Sequence, residues 1–344
     1  MRTADRITIA AAAAWLPERR LTPESAGADS EDVGYEALVV AEDPSPPQMA
    51  VRAAEVALEQ VSWTGKDIDL LLHAWSYYQG HDFWSPAHYV AEQTGARGAL
   101  PIGIQQMCNG GAVALQTAAA HLLAAGEVSR ALITTADKFC TPGFDRWHGD
   151  IGVAYGDGAT AVLLSAVDAD AASDSTHLLS VSTVSSPELE GMHRGHDPFA
   201  PAPRWHSAQV TPRRTKKAYL RAYGDVGYRK AEREALTSVV MSALEEAELE
   251  AKNPKLRAVV LPRLHSRLLA TEYIPLLSGL TVARPVDFGS TTGHLGAGDL
   301  AAGLASLKEQ KVLGEGEYAL LLSTGAGFSW SCAVVRQGQV QGHA

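Results

Sequence analysis

The chain has 344 residues, 46% of them apolar, 20% charged and 7% aromatic, with a formal charge of -10. That length supports a large core and two packed units, and the composition is that of a compact α/β protein. The acidic balance argues against nucleic-acid binding, so an anionic partner would have to dock on a local basic patch.

The N-terminal run Arg6 to Ala12 carries Asp5 just ahead of it and ends at Trp15-Leu16-Pro17 with no signal-type cleavage region, so it reads as a first strand. No uncharged apolar run reaches the roughly 18 residues of a membrane span. A helix from about Gln48 to Gln60 and a strand from Asp69 to Ala74 follow. Then come a strand near Leu100 to Gln105, a helix from Asn109 to Ala125 stopped at Gly126, and the strand Arg130 to Ala136. Strand and helix alternate, which predicts a helix-covered parallel sheet, and the helix after Asn109 is apolar on nearly every side, as a central buried helix is. The second half repeats the theme: a helix from about Val226 to Leu249, the strand Arg257 to Pro262, a helix from Gly298 to Lys308 and the strand Tyr318 to Ser323. Each half closes with glycines leading into an apolar run, Gly156-Asp157-Gly158 in one and Gly325-Ala326-Gly327 in the other. Two related halves, 1–175 and 176–344, are the expected organisation, with a loop or lid at about 186–224 that is rich in Pro, His and Arg.

Cys108, Cys140 and Cys332 are an odd set with neither disulfide nor metal-ligand spacing, which fits a reducing cytoplasm and no metal site. Cys108 follows a strand and opens the buried helix. Unpaired N–H groups and the dipole at that helix end favour the thiolate, the attacking form, and Gly110 and Gly111 leave room for a substrate. A buried cysteine also packs as a small hydrophobe, so Cys108 alone leaves both readings open. Cys332, in an alternating strand, reads as core, and Cys140 has no base in view.

Three segments resemble the type III β-ketoacyl-acyl carrier protein synthases of the thiolase superfamily: Cys108-Asn109-Gly110, Tyr155-Gly156-Asp157-Gly158-Ala159, and Gly325-Ala326-Gly327-Phe328-Ser329-Trp330. The resemblance implies an α/β thiolase fold of two pseudo-repeated five-stranded halves layered α-β-α-β-α, a homodimer, and Cys108 as the acylated nucleophile. It also implies an oxyanion hole made by the backbone N–H groups of Cys108 and Ala326. Such donors stabilise a tetrahedral intermediate where its charge develops.

The chain departs from the family at two places. Condensing members use a His and an Asn to decarboxylate a malonyl thioester. Here the histidine position falls on Arg263 in Pro262-Arg263-Leu264-His265, with His265 as a slipped replacement, and the asparagine position holds His294 in Gly293-His294-Leu295. A histidine facing a thioester can deprotonate an incoming hydroxyl or amine, and Asp299, five residues on, is the candidate to orient it or else to cap the helix. The pattern resembles a branch of synthase III-like acyltransferases of secondary metabolism with a Cys-His-Asp triad. It implies transfer of an acyl group to a small natural-product acceptor, such as a sugar, cyclitol or polyketide alcohol. Decarboxylative condensation and a non-catalytic partner subunit of a polyketide synthase are the alternatives.

For substrate contact the candidates are Trp75, Tyr77 and Trp84 in an aromatic stretch, His193 and His196 in the lid segment, and His265. Arg213, Arg214, Lys216 and Lys217, with Arg263 and Arg267, are candidates to receive an acidic acyl carrier protein, or else make up a solvated helix face. The arginine-rich segment of coenzyme A-using members has no clear counterpart, which favours a protein-bound donor over coenzyme A. No tightly held cofactor is expected.

Overall fold

The computed structural model describes residues 1–27, 34–124, 128–166 and 175–338. The predicted helix stop at Gly126 and part of the join near residue 175 lie outside these.

The first strand is longer than its apolar stretch. β1 (Arg2–Trp15) runs through the middle of a ten-stranded sheet, where it pairs antiparallel with both β7 (Gly158–Ala166) and β8 (Thr176–Ser185). A short side ribbon comes from β2 (Arg20–Leu21) and β3 (Leu38–Val39). The other strands are β4 (Leu70–Ala74), β5 (Leu100–Ile104), β6 (Arg130–Asp137), β9 (Leu256–Val260), β10 (Arg284–Val286), β11 (Tyr318–Gly325) and β12 (Ser329–Gln337). The sheet order is β10-β9-β11-β12-β8-β1-β7-β6-β4-β5. Five strands come from residues before 167 and five from residues after 175, and the order outward from the β8–β1 seam is equivalent on the two sides. β4, β5 and β6 pair in parallel, as do β9, β10 and β11. The predicted alternation of strand and helix is therefore present in both halves.

Five layers follow from where the apolar faces go. Helix Gly110–Leu123 and helix Asp299–Glu309 lie in one cluster with inward residues of both half-sheets, among them Leu72, Ile133, Val260 and Leu321. A second cluster packs helix Pro46–Gln60 and helix Pro86–Gln93 on the outer face of the first half-sheet. A third packs helix Val226–Glu246 on the second. Helix Gly110–Leu123 buries its small residues Gly110, Gly111, Ala112, Ala114 and Ala118, so it can lie close to its neighbours as its all-round apolarity predicts.

The segment read as a loop at 186–224 holds more structure than expected. It contains the one-turn helix Gly191–Arg194 and the twelve-residue helix Pro212–Tyr223, whose polar residues mask its helical pattern.

Candidate active site

Cys108 lies in the 3-10 turn Met107–Asn109 that feeds helix Gly110–Leu123. The preceding residue, Met107, sits at φ 48°, a left-handed conformation that a residue with a side chain adopts at a cost of about 1–2 kcal/mol. The strain turns the thiol out of the strand line into a cleft of about 500 Å³. The terminal glycine motif abuts this turn. A Cβ on Gly325 would lie 2.4 Å from the Asn109 nitrogen, so only glycine allows that approach, and Ala326 lines the cleft together with Cys108.

His294 arrives from the other half on the loop before helix Asp299–Glu309. Its backbone N–H donates to Ala154 O at 2.9 Å, and its carbonyl accepts from Gly156 N at 3.0 Å. The Gly-Asp-Gly motif of the first half thus holds the histidine loop of the second. Asp157 in that motif is buried and accepts from both terminal nitrogens of Arg146, at 3.1 and 3.2 Å, and from the N–H groups of Ala41 and Phe139.

His294 Nδ1 is 2.6 Å from Asp299 Oδ2, and the Cys108 side chain lies near enough to act on the same ring. Asp299 also accepts from Arg263 N at 2.9 Å and Leu295 N at 2.8 Å, so it orients the ring rather than capping its helix. Burial works against a charged His294. The Asp299 carboxylate and the Cys108 sulfur outweigh it and hold the ring well above the ordinary histidine value. Burial likewise opposes ionised Asp299, but His294 and then Arg263 keep it below the usual carboxylate range. The arrangement can stabilise a thiolate–imidazolium pair, and it fixes the tautomer needed for proton transfer.

Arg263 does not belong to a docking surface. It is 1% exposed, donates from Nε to Thr292 Oγ1 at 3.1 Å and from a terminal nitrogen to the Asp299 carbonyl at 3.1 Å, and braces the histidine loop from behind. Lys216 also leaves that set. Its Nζ lies 2.5 Å from Asp150 Oδ1 inside the cleft. In both cases the fold buries a carboxylate beside the cation, Asp150 paired with Lys216 and Asp299 near Arg263, whose guanidinium bonds its carbonyl. Arg214, Lys217 and Arg267 are exposed, and Arg213 is half-buried with its Nε on the His148 carbonyl.

Of the substrate-contact candidates, Tyr77, His193 and His265 line the cleft. Trp75, Trp84 and His196 do not. Trp75 stacks on His73 and fills the space above Gly103, Trp84 packs on His81 and Tyr89, and His196 lies out against Tyr223. His265 Nδ1 accepts the Arg267 N–H at 3.0 Å, a helix-capping bond, while His294 is the histidine that meets Cys108 and Asp299. Three buried acids carry roles that their sequence positions do not announce. Asp137 receives the N–H groups of Ser76, Tyr77 and Ala297 and so ties the aromatic stretch to the histidine loop, and Asp150 and Glu232 line the cleft. Their sequence neighbours give no signal of this, since Asp137 precedes Lys138 and Glu232 lies between Ala231 and Arg233.

The comparisons with known proteins agree with this geometry. Residues 102–182 match the family model for 3-oxoacyl-[acyl-carrier-protein] synthase III, and residues 256–337 match its C-terminal counterpart. The beta-ketoacyl-[acyl-carrier-protein] synthase III of Ruegeria sp. (strain TM1040) is 27% identical over 296 residues, 86% of this chain and 85% of that one. Among solved structures, ChlB3, described as an acyltransferase, is 33% identical with a TM-score of 0.86 over 97% of this chain and 98% of its own. The 3-oxoacyl-(acyl carrier protein) synthase III of Pseudomonas aeruginosa PAO1 has a TM-score of 0.76 at 22% identity over 98% and 100%, a likeness of fold. The molecule is a thiolase-fold enzyme. Within that class the chain belongs to the 3-oxoacyl-[acyl-carrier-protein] synthase III family. Among the described residues no helix is long and apolar enough to cross a membrane.

Proposed function

We propose that the enzyme transfers an acyl group from an acyl carrier protein or coenzyme A thioester, through acyl-Cys108, to a hydroxyl or amine of a small natural-product acceptor. The observation that carries this reading is His294, bonded to Asp299 and acting on Cys108 where condensing relatives need an asparagine, while the family's histidine position is spent on buried Arg263.

In the first half-reaction the Cys108 thiolate attacks the donor carbonyl. The developing oxyanion takes N–H bonds from Cys108 and Ala326, and the expelled carrier thiolate receives the proton of His294. Acylation removes the sulfur's charge, and with it one of the two influences that keep His294 protonated. The neutral ring then accepts the acceptor's proton as its oxygen or nitrogen attacks the thioester. Cys108 leaves as the thiolate, which restores the starting ion pair. The donor brings its own phosphopantetheine, and no step calls for a resident cofactor.

We read residues 1–175 and 176–344 as duplicated halves, one bringing the nucleophile and the other the base, in a subunit that dimerises as the family likeness suggests. Exposed Lys217 and Arg214, the latter paired with Asp197, lie off the cleft, and Arg267 is exposed where it lines the cleft; these are the cations left for an acidic carrier protein.

Intact-protein mass after incubation with acyl carrier protein and coenzyme A thioesters tests the reading. Native enzyme is expected to gain an acyl adduct that Cys108→Ala lacks, and to discharge it only when an alcohol or amine is supplied. Carbon dioxide and a chain-extended product from a malonyl thioester would establish condensation instead.

A further inference from the structure

The two N–H groups assigned to the oxyanion belong to different halves of the molecule, Cys108 on the nucleophile turn and Ala326 on the terminal glycine motif. Both must lie within about 3 Å of one oxygen, so the pair works only at a fixed separation. Apolar contacts have no direction and do not set such a separation, whereas hydrogen bonds do.

Asn109, the residue after Cys108, supplies them. Its side chain is buried, and the amide nitrogen donates to Ser331 Oγ at 2.9 Å and to Ser329 Oγ at 3.1 Å. Both serines lie on β12, which begins three residues after Ala326. The chain of bonds continues from there. Thr183 on β8 gives its one hydroxyl proton to Gln116 Oε1 at 2.7 Å, so at 2.8 Å it accepts from Ser331. Gln116 stands on helix Gly110–Leu123, about two turns beyond Asn109. The bonds thus run one way, from the nucleophile turn through two strands of the other half and back to the nucleophile's own helix. The glycine motif is anchored on its far side as well. Phe328 accepts from Ser186 N at 2.8 Å and donates to the Ser186 carbonyl at 3.1 Å, so Asn109 joins Cys108 to a strand end that is already fixed.

Stability alone does not account for Asn109. Its side-chain carbonyl oxygen is buried without a hydrogen-bond partner, which offsets part of what its two bonds contribute. An apolar side chain would fill the place without that cost. What a buried polar network adds to a core is one defined arrangement of the parts it joins.

We propose that Asn109 is a positioning residue, which through Ser329 and Ser331 fixes the Cys108 N–H against the Ala326 N–H and so sets the strength of the oxyanion hole. This rests on the oxyanion hole of the acyl-transfer reading. It acts in both half-reactions, because each passes through a tetrahedral intermediate whose oxygen faces the same two donors.

The carbonyl of acyl-Cys108 is the direct reporter. Donors that grip its oxygen weaken the C=O bond and lower its stretching frequency. An isotope-labelled acetyl group is placed on Cys108 with p-nitrophenyl acetate, in enzyme carrying His294→Ala to hold the adduct and Cys140→Ser to remove the exposed thiol. Infrared difference spectra are then compared with and without Asn109→Ala. Asn109→Ala is expected to raise the frequency toward that of the same adduct unfolded in urea, and Ser331→Ala to raise it by a smaller step. With His294 and Cys140 restored, Asn109→Ala should slow acylation and discharge alike by about tenfold, less than the loss of a whole donor, and leave KM for the acceptor unchanged.

A merely structural role would lower the urea midpoint and leave the carbonyl frequency where it is, and that result overturns the proposal. So does a slowing confined to one half-reaction. Ser331→Ala keeps the test decisive should Asn109→Ala fail to fold. Because the acetyl group is installed chemically, its frequency judges Asn109 even if no thioester acylates Cys108, an outcome that would sink acyl transfer alone.

Discussion

Cys108, His294 and Asp299 sit at the inner ends of two central helices, and backbone hydrogen bonds from the opposite half hold the His294 loop in place. Lys216, His193 and Glu232 reach the wall of the same cleft from helices of the connecting segment and the outer layer, where side-chain pairing holds Lys216 and Glu232 and His193 packs on Phe328. The reacting centre therefore tolerates little change in its glycines, since a Cβ at Gly156 would lie 2.0 Å from the Thr292 carbonyl oxygen. The wall can change its polar residues without disturbing a turn. One fold can in this way keep its thioester chemistry while its acceptor changes.

Removing the base should separate the two regions most sharply. His294→Ala is expected to lower discharge of acyl-Cys108 by about 10³-fold, within the range for a lost general base, while the adduct still forms with excess donor. Asp299→Asn should also slow discharge. Because the carboxylate holds His294 above its ordinary value, its loss should move the acid limb of the discharge rate to lower pH. The sign follows from discharge needing the neutral ring, which a lower pKa makes available at lower pH. A limb that stays in place would mean that His294 is not the group titrating. Single-turnover rates measured from pH 5 to 9 give both answers.

Next in size is the oxyanion donor. Ala326→Pro deletes one N–H and should cost about 10²-fold in both half-reactions, with KM for acceptors unchanged. An effect on discharge alone would assign Ala326 to the wall instead.

Smaller again is the brace behind the centre. Arg263→Met keeps the volume and loses the bonds to Thr292 and the Asp299 carbonyl, so stability should fall by about 2 kcal/mol in urea unfolding. Activity should fall less than in Asp299→Asn, because the Arg263 N–H that reaches Asp299 belongs to the backbone and survives.

The two regions also differ in how far the sequence reveals them. Cys108 was legible because a strand and glycines frame the start of a buried helix, and His294 and Asp299 because the family resemblance marks the position of His294 and Asp299 follows five residues on. The strand–helix alternation was legible for the same local reason as Cys108. Arg263 read as a surface cation because it lies just past the predicted strand ending at Pro262 and nothing local names its partner, and Lys216 because a charge among polar neighbours carries no local sign of burial. Their partners, Asp299 and Asp150, lie 36 and 66 positions away, and only the fold brings them together. Helix Pro212–Tyr223 hid in a Pro- and Arg-rich segment for a related reason. Thr215 is the one residue it buries, and its apolar face, Tyr219 and Leu220, is short and set among five Lys and Arg residues.

The finest separation comes from Tyr155, which belongs to both regions. Its ring packs edge-on against His294 at 5.3 Å and against Phe144 at 4.9 Å, while its hydroxyl serves Asp150. The family motif has Phe at this position, so Tyr155→Phe keeps the packing and removes only the hydroxyl. Asp150 keeps Lys216 and loses one bond, which predicts a stability loss of about 1 kcal/mol. If the hydroxyl serves the wall alone, acylation should stay within about threefold of native while KM for the acceptor rises by a similar factor. A tenfold fall in acylation would instead make the hydroxyl part of the reacting centre, and Asp150 and Lys216 would then join Cys108 rather than the acceptor.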